Sequence, residues 1–132
     1  MDRTTVLLVD DNQTSLDTTE TFLRVNGVEV VALSSPFGAT KMVQRCNPDL
    51  IVLDVMMPGL SGSGLATVIR KESPVPIIFF SAMPEESLRD LAVQTPRASY
   101  VLKSEGVLYL LDEIQRILKR PGIGMVLGDV TL

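Results

Sequence analysis

The sequence predicts an α/β fold: a doubly wound parallel sheet of five strands with five helices. Two observations carry this. Short runs at residues 6–9, 28–33, 50–53, 77–80 and 100–102 are apolar at nearly every position, with Glu29 the interruption in the second. Continuous apolar runs of this kind suit strands covered on both faces, as in a parallel sheet. Segments with helical spacing lie between them, and such βα alternation with short connections implies right-handed crossovers.

The first strand, in "TVLLVDDNQ" at residues 5–13, runs straight into Asp10 and Asp11. Adjacent carboxylates there repel each other and cost desolvation. The first helix carries Leu16 and Leu23 on one face, and Asn26-Gly27 offers its stop. In the second helix Ala39, Met42, Val43 and Cys46 share a face, with Ser35 expected as N-cap and Pro36 as the first helical residue. The third strand ends in Asp54, and Leu65, Val68 and Ile69 mark the third helix. The fourth strand ends in Ser81, and a helix from Pro84 has Glu85 and Glu86 in its first turn, where the dipole favours acids. The fifth strand ends in Lys103. A last helix is expected from Ser104-Glu105, with Leu111, Ile114 and Leu118 at helical spacing. The expected domain is 1–120. The Gly-rich stretch 121–132 falls outside the alternation and reads as a flexible end, a linker stub or a packing strip.

The 132 residues suit one domain, and 45% apolar with 21% charged residues is the balance of a globular chain. A net charge of -4 argues against nucleic-acid binding through a basic face. No apolar run approaches the ~20 residues of a membrane span. The lone Cys46 forms no internal disulfide and the first residues lack a signal-peptide pattern, so a cytoplasmic location is expected. With no histidine, histidine-based nucleophile arrangements and the common zinc sites are excluded.

Chemistry is then left to carboxylates, hydroxyls and lysine. In an open parallel sheet, ligands sit beyond the carboxyl ends of the strands. The residues ending the strands are Asp10, Asp11, Asp54, Ser81 and Lys103. Three close carboxylates call for a cation, and all-oxygen ligation suits Mg²⁺. A carboxylate beside that ion can attack phosphorus, with a lysine and a hydroxyl holding the other phosphoryl oxygens.

"LLVDDN", "PDLIVLDVMMPGLSG", "IIFFSA" and "YVLK", in this order and spacing, resemble the receiver domain of bacterial two-component response regulators, over about residues 4 to 120. The resemblance implies a flavodoxin-like strand order of 2-1-3-4-5. It also implies roles. Asp54 would be the phosphoacceptor and Asp11 a direct Mg²⁺ ligand. Asp10 would reach the metal through water, and Met56 would supply a backbone carbonyl. Ser81 would be the switch hydroxyl, Lys103 the phosphoryl-binding lysine and Tyr100 the aromatic that changes rotamer. The implied donor is a sensor histidine kinase or phosphotransfer protein. The implied output is protein contact through the face of the fourth helix, fifth strand and fifth helix, with a homodimer as one form of the active state. Such a domain catalyses only its own phosphorylation and dephosphorylation.

Three positions depart from the family pattern. Ser104 replaces the proline that usually follows the lysine, often through a cis bond. A non-proline cis bond costs ~3 kcal/mol, so a trans bond is expected, with a different loop, a less rigidly placed Lys103 and Ser104 capping the last helix. Met56 and Met83 stand where polar groups would orient an attacking water, which predicts slow loss of phosphate.

Other readings stay open at this stage. Asp10 and Asp11 would also serve as a capping pair with Asn12. A degenerate receiver would bind partners without phosphorylation. An aspartyl-phosphate phosphatase wants an acid where Met56 stands. A flavin or nucleotide site wants a Gly-rich loop where Asp10-Asp11-Asn12 stands.

Overall fold

A computed structural model describes residues 3–119. The stretch 121–132, expected as a tail, lies outside the described residues. The elements alternate as β1 (Thr5–Val9), α1 (Gln13–Val25), β2 (Glu29–Leu33), α2 (Ala39–Cys46), β3 (Leu50–Leu53) and α3 (Gly62–Glu72). Then come β4 (Ile77–Ser81), α4 (Glu85–Gln94), β5 (Ala98–Leu102), a 3-10 turn (Lys103–Glu105) and α5 (Val107–Leu118). The sheet order is β2-β1-β3-β4-β5, and every pairing is parallel.

Why the strands are apolar at every position follows from the two faces. Side chains alternate across a strand. Val6 and Leu8 of β1 pack with Leu16, Leu23, Leu110, Leu111 and Ile114 under α1 and α5. Leu7 and Val9 pack on the other side with Leu65, Ile69, Leu88 and Ala92 under α3 and α4. A polar residue anywhere in the central strands would therefore be buried. Full covering holds for β3 and β4, whose residues are all buried, and relaxes at the two edges, where most β2 and β5 residues are half-buried.

Three local expectations change. Helix α2 does not begin at Pro36. Ser35 Oγ accepts from the Phe37 N–H at 3.2 Å, and Gly38 takes the left-handed φ of 90°. That conformation interrupts a right-handed helix, so α2 starts only at Ala39. In α3, Leu65, Ala66 and Ile69 are buried while Val68 is exposed, because the helix turns Val68 off the sheet. Ser104 does not cap α5, because the 3-10 turn holds it and the helix starts after Gly106, whose φ is 92°.

The register sets the functional edge. Val9 pairs with Leu33 on one side and Leu53 on the other. The Asp10 N–H donates to Leu33 O at 3.1 Å, and the Asp54 N–H donates to Val9 O at 2.9 Å. The backbone ladder thus carries Asp10 and Asp54 to the same height on adjacent strands.

Candidate phosphoryl and metal site

The carboxyl edge brings together four of the residues singled out in the sequence. Asp10, Asp11 and Asp54 each offer a carboxylate oxygen, and these lie within 4.8 Å of one another. Asp10 is 3% exposed and Asp54 6%, whereas Asp11 is exposed. Lys103 Nζ donates to Asp10 Oδ2 at 2.7 Å and to Asp54 Oδ2 at 3.0 Å. The other oxygens of both acids are also engaged. Asp10 Oδ1 accepts from the Asn12 N–H at 2.9 Å and Asp54 Oδ1 from the Met56 N–H at 3.1 Å. Each acid is thus oriented by an amide two residues on and by the ammonium across the sheet.

Burial alone would lower the Lys103 pKa. The hydrogen bonds to Asp10 and Asp54, with their charge, outweigh it and raise that pKa above the ordinary lysine value. The ammonium is held charged and offsets part of the crowding of three carboxylates.

The capping reading of the acid pair falls to its neighbour. Asn12 Oδ1 accepts from the Ser15 N–H at 2.9 Å and caps α1, which leaves Asp10 and Asp11 to the edge.

The donor set fits a hard divalent cation. Three carboxylate oxygens from two loops face one another at a partly open edge, two of them shielded and one in solvent, as Mg²⁺ requires if it is to keep several waters. Zinc is disfavoured, because nitrogen and sulfur donors are missing from the group. Met56 follows in the same loop, with its side chain 60% exposed.

Two expected residues stand apart from this cluster. Ser81 ends β4 at the same edge, is fully buried, and its Oγ has no hydrogen-bond partner among the described residues. Tyr100 packs its ring against the core cluster under α3 and α4, and its hydroxyl donates to Glu85 Oε2 at 3.0 Å on the α4 surface. It points away from the acids.

Two contributors were given no site role in the sequence. A Cβ on Gly62 would lie 2.3 Å from the Asp54 carbonyl oxygen and 2.7 Å from Val55 Cα, so only glycine lets α3 start this close to the acid. Glu105 Oε1 accepts from the Leu102 N–H at 3.0 Å and closes the turn that begins at Lys103.

A parallel sheet in the order β2-β1-β3-β4-β5, with an acid cluster and a lysine at its carboxyl edge, defines the class of flavodoxin-like receivers. The family model of the response regulator receiver domain matches residues 6–115, and the chain belongs to that family. It is 32% identical over 120 residues to a probable transcriptional regulator, ycf27, of Porphyridium aerugineum, covering 91% of this chain and 50% of the relative. It is 29% identical over 119 residues to the sensory transduction protein RegX3 of Mycobacterium tuberculosis, covering 90% and 52%. The chain therefore spans about half the length of the curated relatives it matches. Among solved structures it resembles the receiver domain of the Francisella response regulator 1452, with a TM-score of 0.81 and 25% identity over 89% of this chain and 98% of that one. The chain is thus a signalling domain of two-component systems, a family whose general property is phosphorylation on aspartate.

Proposed function

We propose that Asp54 is the phosphoacceptor of this chain. The observation that carries the reading is the Asp54 carboxylate, buried at a strand end, aimed by the Met56 N–H and held 3.0 Å from the Lys103 ammonium. An Asp54 oxygen attacks the phosphorus of a phosphohistidine on a sensor kinase or phosphotransfer protein. The new O–P bond forms as the N–P bond breaks, and the electron pair returns to the imidazole of the donor. Lys103 balances charge on the transferred phosphoryl oxygens, and Ser81 supplies a hydroxyl with no prior bond to surrender. Asp10, Asp11, Asp54 and the Met56 carbonyl would hold Mg²⁺, which when bound neutralises the acids and the incoming phosphoryl charge. The chain acts on no substrate but itself.

The output is a population shift read on α4, β5 and α5, where Leu108 and Tyr109 lie exposed at the start of α5. Its reader is a protein partner or a second copy. Among the described residues no helix is long and apolar enough to cross a membrane, and a cytoplasmic setting fits a kinase donor of this type.

The test is mass detection of one phosphoryl group after incubation with an acyl phosphate and Mg²⁺. Wild type should gain it and Asp54→Ala should not. Labelling of Asp54→Ala would overturn the assignment, and an unlabelled wild type would favour a degenerate receiver that binds without phosphorylation. Phosphate loss should be slow. Met56→Asn should speed it, since that side chain is exposed at the site, and no change would overturn the role given to Met56. Met83 is packed against the core cluster, so Met83→Glu also carries a desolvation cost.

A further inference from the structure

We infer that Glu105 is a positioning residue for Lys103, and that it does the work of a rigid residue after the lysine. The inference rests on the role given to Lys103 above. Lys103 is the first residue of the 3-10 turn, and its side chain reaches Asp54 two strands away and Asp10 three strands away, so its backbone must be held for Nζ to meet both acids. No proline constrains the turn, and the residue after the lysine, Ser104, is exposed.

The backbone is clamped on both sides instead. Before the lysine, Glu105 Oε1 accepts from the Leu102 N–H at 3.0 Å. After it, the Gly106 N–H donates to Lys103 O at 3.1 Å. β5 is an edge strand, so an N–H turned away from β4 has no ladder partner, and the Glu105 carboxylate supplies one. The reciprocal bond of a full capping box is missing, because Leu102 has no side-chain acceptor. Glu105 therefore holds the Leu102 end of the turn without a reciprocal side-chain bond. Gly106, at φ 92°, redirects the chain into α5 at a conformation that side chains rarely adopt. Without the Glu105 bond, Leu102 and Lys103 gain freedom at the strand end, and a small displacement there moves Nζ off two oxygens at once.

The experiment compares Glu105→Ala and Glu105→Gln in the whole 132-residue chain, with an acyl phosphate and Mg²⁺, well below the melting temperature. Glu105→Ala should phosphorylate about tenfold more slowly, since small misplacements of a charge-stabilising group carry large rate penalties. Glu105→Gln keeps the acceptor oxygen and should recover most of the rate. Amide exchange at Leu102 should speed up in the alanine variant only. In a Lys103→Ala background, Glu105→Ala should change nothing further, since its effect runs through the lysine. A wild-type rate for Glu105→Ala, or equal slowing in both backgrounds, overturns the inference and leaves Asp54 as acceptor. Labelling of Asp54→Ala, or a wild-type rate for Lys103→Ala, instead overturns the reading on which it rests.

Discussion

The two halves of the carboxyl edge are built on opposite principles. On the β1–β3 side, Asp10 and Asp54 have both carboxylate oxygens bonded, and Lys103 bridges them. On the β4–β5 side, Ser81 Oγ is buried without a partner among the described residues and the Tyr100 hydroxyl is tied to Glu85 at the surface. The first half is prearranged, with its charges oriented by amides that belong to the sheet ends. The second holds a buried hydroxyl with no partner among the described residues and a ring whose hydroxyl is tied to the α4 surface. A site that must receive charge needs the first kind of order, and a site that must change on receiving it needs the second.

This contrast breaks first at Gly62. In Gly62→Ala the new Cβ meets the backbone of Asp54 and Val55 just past β3, which no rotamer change relieves. We expect a loss of about 3 kcal/mol in denaturant unfolding, with phosphorylation of Asp54 slowed, because α3 must back away from the acid. Gly64→Ala is the control. Its Cβ meets Leu60 Cδ1 at 3.1 Å, a flexible side-chain end, and it should fall within about 0.5 kcal/mol of wild type.

Lys103→Met leaves two buried carboxylates without their shared cation and should cost about 2 kcal/mol, less than for a fully dry pair because the lysine is one-fifth exposed. Folding raises the Lys103 pKa, so the folded chain holds that proton more tightly than the unfolded one. The stabilisation is complete below the ordinary lysine value of 10.5 and is lost as pH climbs through the higher folded value. The gap in melting temperature between wild type and Lys103→Met should be flat to that point and shrink above it.

The switch half should respond in the opposite sense. Ser81→Ala removes a polar atom that has no bond to lose, so stability should hold or rise by up to about 1 kcal/mol. A loss of more than that amount would show that the hydroxyl is satisfied in the resting state. Tyr100→Phe breaks one exposed bond to Glu85 and should move stability by less than about 0.5 kcal/mol. A phosphorylation-dependent partner or dimer signal should nevertheless weaken in both variants.

Much of the site was legible in the sequence because strand ends are legible. Apolar runs that stop at Asp10, Asp54, Ser81 and Lys103 declare which side chains meet the edge, provided the strands are parallel. Legibility failed where the backbone leaves regular geometry. The expected start of α2 at Pro36 did not foresee the left-handed turn at Gly38, and the start of α5 near Ser104 did not foresee a 3-10 turn closed by Glu105. A looser Lys103 was expected from the missing proline. In the structure the lysine bonds two acids, and bonds at Leu102 and Gly106 flank it.

The sequence by itself determined the alternation of elements, the edge on which the acids lie and the family, because hydrophobic period and residue order are local properties. Only the tertiary structure decided which acids share the lysine, that Gly62 must be glycine, and that Ser81 is the unpaired member while Tyr100 faces outward. Those depend on register, on distances of a few ångströms between residues 49 and 93 positions apart for the lysine, and on the backbone path that turns Gly62 against Asp54.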